Sequence, residues 1–67
     1  MSMVVLKTDR IPDGETVTLL ALLRLNDLSP ATVMVRVDGT VIQKQNFDSL
    51  QVSRGTVVKA YPFVGGG

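Results

Sequence analysis

The sequence predicts an α+β fold in which one leucine-rich helix lies against a valine-rich sheet. Six of its eight leucines fall between Leu19 and Leu28, and eight of its eleven valines fall between Val33 and Val64. Valine is stiff at its branched Cβ and suits a pleated strand, whereas leucine loses little freedom in a helix. Val33, Val35 and Val37 alternate with Met34, Arg36 and Asp38, the period of a strand buried on one face. Asp38-Gly39 then supplies the residues of a type I′ hairpin turn, which needs positive φ at two successive positions.

The remaining elements follow in order. Met3 to Thr8 opens with four successive apolar residues and reads as a first strand, buried on both faces and therefore central in the sheet. Asp9 to Gly14 carries turn residues, including Pro12 and Asp13-Gly14. Glu15 to Val17 reads as a short second strand folded back onto the first. Thr16 and Thr18 are both candidate helix N-caps. Thr18 is preferred, because it places Leu19, Leu22 and Leu23 at the i, i+3, i+4 positions of one stripe.

That helix should end near Asn26-Asp27, before Ser29-Pro30, with Leu28 returning to the core and Leu20 and Leu25 left off the stripe. Thr40 to Ile42 is the return strand of the hairpin. Gln43 to Ser53 is polar, with Phe47, Leu50 and Val52 as core anchors. Arg54-Gly55 turns the chain into a last strand, Thr56 to Phe63. Pro62 lacks an N–H and should sit where the sheet no longer needs that donor. The order β-β-α-β-β-β, with a central first strand and a helix crossing one face, predicts a β-grasp, or ubiquitin-like, roll: a mixed sheet of four to five strands with one main helix. A less regular α+β sandwich of the same elements is the alternative.

Composition narrows the function. The 67 residues make one domain, and the chain contains no Cys and no His. Disulfides, thiol nucleophiles, imidazole bases and ordinary transition-metal sites are thereby excluded. Seven basic against six acidic residues, scattered along the chain, argue against a nucleic-acid binder. Tyr61 and Phe63 beside Lys59 are too few for a base-stacking platform. No apolar run approaches the roughly 18 residues of a membrane span, and residues 1–7 lack the pattern of a signal peptide, so a cytoplasmic protein is expected. Asp9, Asp13 and Glu15 could suggest a hard-cation site, but their spacing is that of a solvated turn. Domains below about 70 residues have little stability to spare, which places binding and carrier roles ahead of catalysis and predicts a protein that is not itself an enzyme.

The carboxyl-terminal segment stands apart. From Ala60 to Gly67 no side chain is charged, and Tyr61, Pro62, Phe63 and Val64 lead directly into Gly65, Gly66 and Gly67. The division expected is a folded domain over 1–64 and a flexible tail over 65–67. Three extended glycines reach roughly 10 Å and, lacking Cβ atoms, thread a channel closed to other residues. The α-carboxylate of Gly67 is then the reactive group. A remnant of a linker would have the same composition, but linkers are usually Ser-rich and this tail follows straight from a strand.

In its Thr18-Leu19-x-x-Leu22-Leu23 helix start with Leu28, its Val33–Val37 strand running into Asp38-Gly39, its Gly55 before the last strand and its Gly-Gly end, the chain resembles the small β-grasp sulfur carriers. These are the thiamine-pathway ThiS proteins, which the length favours, and the molybdopterin-pathway MoaD proteins. The resemblance spans essentially the whole chain. It implies that an E1-like adenylyltransferase uses ATP to adenylate Gly67. Sulfur from a cysteine desulfurase or related donor then displaces AMP to leave a thiocarboxylate, which serves thiazole synthase. It implies no resident cofactor, metal or catalytic residue, no membrane or nucleic-acid partner, and docking through Tyr61, Phe63 and Val64. Other readings in view are sulfur delivery to molybdopterin or tRNA, conjugation to target lysines as a ubiquitin-like modifier, and a non-catalytic interaction module.

Overall fold

The chain builds two antiparallel sheets around a short helix. In the computed structural model, which describes residues 2–63, the strands are β1 (Val4–Leu6), β2 (Thr16–Thr18), β3 (Val33–Val37), β4 (Thr40–Ile42), β5 (Gln51–Ser53) and β6 (Val58–Pro62), with helix α1 at Leu19–Leu25. Single 3₁₀ turns occupy Pro30–Thr32 and Lys44–Asn46. The main sheet has the order β1-β6-β3-β4, and β2 pairs with β5 in a separate two-stranded sheet.

Thr18 caps the helix, as the leucine spacing predicts. Its backbone is extended and its Oγ1 accepts a hydrogen bond from Ala21 N at 3.1 Å. Leu19 N and Leu20 N, which a helix start leaves without internal partners, donate to Leu50 O (2.9 Å) and Phe47 O (2.8 Å). The helix therefore begins seated on the Phe47–Leu50 loop. At the other end Asp27 takes the left-handed conformation (φ 57°), Asp27 N donates to Arg24 O and Leu28 N to Leu23 O. This is a Schellman closure with Asp where Gly is commonest.

A helix of seven residues is too short to hold itself in water. Its stability comes from Leu19, Leu22 and Leu23, which join Val33, Val35, Val58 and Ala60 of the sheet in the buried core. Phe47 and Val52 are buried there as expected, and Leu28 and Leu50 pack against it. Leu20, placed off the stripe by periodicity, also packs against the core, because the Phe47–Leu50 loop covers that flank of the helix. Leu25 remains 70% exposed. The hairpin turn is as predicted, with Asp38 and Gly39 both at positive φ (50° and 85°).

Four expectations are corrected. The first strand is not central: β1 is an edge strand of three residues, and Val5 is 54% exposed. Its continuous apolarity reflects an uncovered outer face, since only Leu6 is buried. β2 does not fold back onto β1. The 7–15 connection is turned away by Ile11 N to Thr8 O and Glu15 N to Pro12 O bonds, and Ile11 itself enters the core. β2 instead meets β5, a strand absent from the sequence reading, because one apolar residue between two polar ones gives no period. Finally, every pairing among the described residues is antiparallel, so the main sheet is not mixed.

The turn that replaces the expected first hairpin is latched from the far side of the fold. The Thr8 hydroxyl accepts from Gly55 N at 3.0 Å and donates to Thr56 O at 3.4 Å. Arg54 donates to Ile11 O (3.1 Å) and Asp9 O (2.6 Å). Among the described residues no helix is long and apolar enough to cross a membrane.

Two substitutions separate the packed helix face from the bare one. Leu23→Ala should lower the unfolding free energy by about 2–5 kcal/mol in urea titrations, by loss of burial and creation of a cavity. Leu25→Ala should change it by no more than about 0.5 kcal/mol. Thr8→Val removes the acceptor for the Gly55 N–H and should cost about 1–3 kcal/mol by the same measurement.

Candidate functional site

The expected reactive group, Gly67, lies outside the described residues together with Val64, Gly65 and Gly66. What the structure describes is the root of that segment. β6 runs between β1 and β3, paired to β1 from Val58 to Ala60 and to β3 from Val58 to Pro62. Pro62 is its last residue, past the end of β1 pairing, where the missing N–H is tolerated as expected. Phe63 N still donates to Thr32 O at 3.0 Å, so the backbone is tied down to Phe63.

Register fixes the direction of each side chain here. Residues directly opposite in an antiparallel pair share a face. Val35 opposes Ala60 and Val37 opposes Val58, all toward the helix. Met34 opposes Tyr61 and Arg36 opposes Lys59, on the outer face. The Lys59 row extends across all four strands, through Val5 on β1 and Val41 on β4. Tyr61 is half-buried, and the Arg36 guanidinium lies 5.8 Å from its ring centroid, within cation–π range. Phe63 is 36% exposed. Of the three apolar residues predicted to meet a partner, Tyr61 and Phe63 are thus accessible at the end of β6.

A shallow cleft of about 430 Å³ opens on the outer face beside Arg36, Asp38, Val57, Lys59 and Tyr61. Asp38 forms part of its wall. Its Oδ1 accepts from Val57 N at 3.1 Å, while Asp38 N donates to Val57 O at 2.8 Å, which fixes the hairpin against the approach to β6. A second cleft of about 390 Å³ lies between α1 and the 7–11 turn, lined by Lys7, Arg10, Ile11, Leu22, Leu25 and Asn26. Asp9, Asp13 and Glu15 are exposed, and among the described residues no group of three His, Cys, Asp or Glu is placed to hold a metal ion.

The outer-face residues Val5, Met34, Arg36, Val41 and Lys59 were not singled out as a site by the sequence. The signal available was the alternation 33–37, which separates Met34 and Arg36 from the core valines. That Arg36 meets Lys59 depends on the β3–β6 register, which the sequence does not display. Comparison with protein-family profiles, curated proteins and solved structures gives no match to this chain.

Phe63→Ala should leave the melting temperature within about 2 °C of the parent, as expected of a half-exposed ring beyond the strand end. In native-state hydrogen exchange the Phe63 amide should be protected along with those of β6, because its acceptor is the Thr32 carbonyl.

Proposed function

We propose that this chain is a sulfur carrier of the ubiquitin-like type, a variant β-grasp whose Gly67 carboxylate is the reacting group. The observation that carries the reading is the placement of the Val64-Gly65-Gly66-Gly67 sequence directly after β6, a strand paired on both sides and anchored as far as Phe63. A thin glycine segment rooted in a rigid strand suits delivery of a carboxylate into the active site of another protein.

A carboxylate is a poor electrophile. In the proposed cycle its oxygen attacks the α-phosphate of ATP on an E1-like adenylyltransferase, pyrophosphate leaves, and an acyl adenylate forms at Gly67. A persulfide on a sulfur donor fed by a cysteine desulfurase then displaces AMP to give an acyl disulfide. A thiol of the partner enzyme cleaves the S–S bond and becomes a disulfide with the donor, and the released Gly67 thiocarboxylate passes sulfur to a biosynthetic enzyme. The favoured acceptor is thiazole synthase in a cytoplasmic thiamine pathway. The carrier is a co-substrate in this cycle, and the acid–base chemistry and ATP site belong to its partners. Tyr61, Phe63 and Val64 form the apolar approach to the reacting end.

A second reading is favoured by the bare outer face of the main sheet. There the chain acts as an interaction module whose tail is never modified. The two separate cleanly. Intact-protein mass spectrometry of the natural protein, coexpressed with the adenylating enzyme of its own host, should show a free Gly67 carboxylate and the oxygen-to-sulfur mass increase. Deletion of Gly67 should abolish sulfur transfer while leaving the melting temperature unchanged. A tail that stays unmodified, or a pathway indifferent to the deletion, removes the carrier reading.

A further inference from the structure

The outer face of the main sheet is an unusual surface for a sheet covered on one side only. In such a sheet the outward positions are ordinarily polar. Here the outward positions are Val5, Met34, Arg36, Val41, Lys59 and Tyr61, with Val57 at the approach to β6. Val41 and Val57 are each about half exposed. The charged residues among them are Arg36 and Lys59, side by side in the middle of the sheet.

That juxtaposition is electrostatically unfavourable by itself. Like charges directly opposite each other on paired strands repel. Among the described residues, the side-chain hydrogen bonds include none made by Arg36 or Lys59. Asp38 lines the same cleft as the two cations; its Oδ1 accepts from Val57 N, and among the described residues no side-chain hydrogen bond joins it to Arg36 or Lys59. Tyr61 holds the Arg36 guanidinium over its ring and so restricts where the head group can go. A carboxylate arriving from outside would relieve the repulsion, and arginine can take it in a two-pronged bond.

We propose that this face is the docking surface for a partner protein that presents an Asp or Glu side chain from an apolar surface. The carboxylate seats between Arg36 and Lys59, and the partner's apolar side chains cover Val5, Met34, Val41 and Val57. A second copy of this chain is the wrong occupant, because two such faces laid together oppose four cations. The pair sits inside an apolar ring, so the partner's approach excludes water and strengthens the central contact, while the charges also steer its arrival. This surface does not depend on the chemistry of Gly67.

The test is selection of a random peptide library on the immobilised full chain, followed by NMR titration of the isotope-labelled protein with the enriched peptides. Enrichment of Asp or Glu flanked by apolar residues is expected, with shift changes at Val5, Met34, Arg36, Val41, Val57 and Lys59. Arg36→Glu and Lys59→Glu should each weaken binding by roughly tenfold or more, since each reverses a charge at the contact. Arg36→Gln and Lys59→Gln, which keep the side chains polar, should weaken it less, and all four variants should keep a cooperative thermal transition. Peptides lacking carboxylates, shifts confined to the α1 cleft, or affinities unmoved by the charge reversals would overturn the proposal. So would tighter binding, on the same face, of phosphatidylglycerol vesicles or single-stranded polyuridine.

Discussion

The rest of this structure hangs on the antiparallel pairing of β3 with β6. Five residues on each strand are in register, from Val33 opposite Pro62 to Val37 opposite Val58. That pairing sends Val33, Val35, Val58 and Ala60 to one side as the floor on which Leu19, Leu22 and Leu23 lie. A slip of one residue between them would turn one strand over relative to the other, exposing half of this floor and burying either Arg36 or Lys59 beneath the helix. With no disulfide to constrain the unfolded chain, a single buried cluster must select the register, and the cost of burying an unpaired cation enforces it.

Polar groups finish what the core begins. The first amides of a helix have no acceptors within it, and here Leu50 O and Phe47 O receive Leu19 N and Leu20 N. The same loop thereby covers Leu20 and draws Phe47 into the core. On the opposite side, Thr8 and Arg54 tie the early turn to the segment just before β6, although they are more than forty residues apart in sequence. These long-range bonds join the 8–11 turn to residues 54–56. The far end of β6 is held separately, by its pairing with β3 and by the Phe63 N to Thr32 O bond.

The outer face shows the opposite priority. Val5, Val41 and Val57 are left accessible, and two cations face each other across adjacent strands. An arrangement selected for stability alone would place polar residues, or one charge of each sign, at these positions. This departure from local consistency on the outer face is the observation on which the docking proposal rests.

By itself the sequence determined the helix phase, the hairpin at Asp38-Gly39 and most of the core. Each is a local signal: Thr18 ahead of three spaced leucines, two residues suited to positive φ, and valines alternating with Met34 and Arg36. It also determined that the chain carries no imidazole or thiol. Tertiary structure decided which strands meet. The apolar run Met3 to Leu6 was compatible with a central strand, yet β6 took that place, because its inward residues Val58 and Ala60 fit beneath the helix while β1 buries Leu6 alone. Gln51–Ser53 became a strand only because β2 lay beside it. Strand pairing is a choice among distant segments that offer similar hydrogen bonds, and it is settled by which combination buries the shared core. The adjacency of Arg36 and Lys59 follows from that choice and is visible only once the register is known.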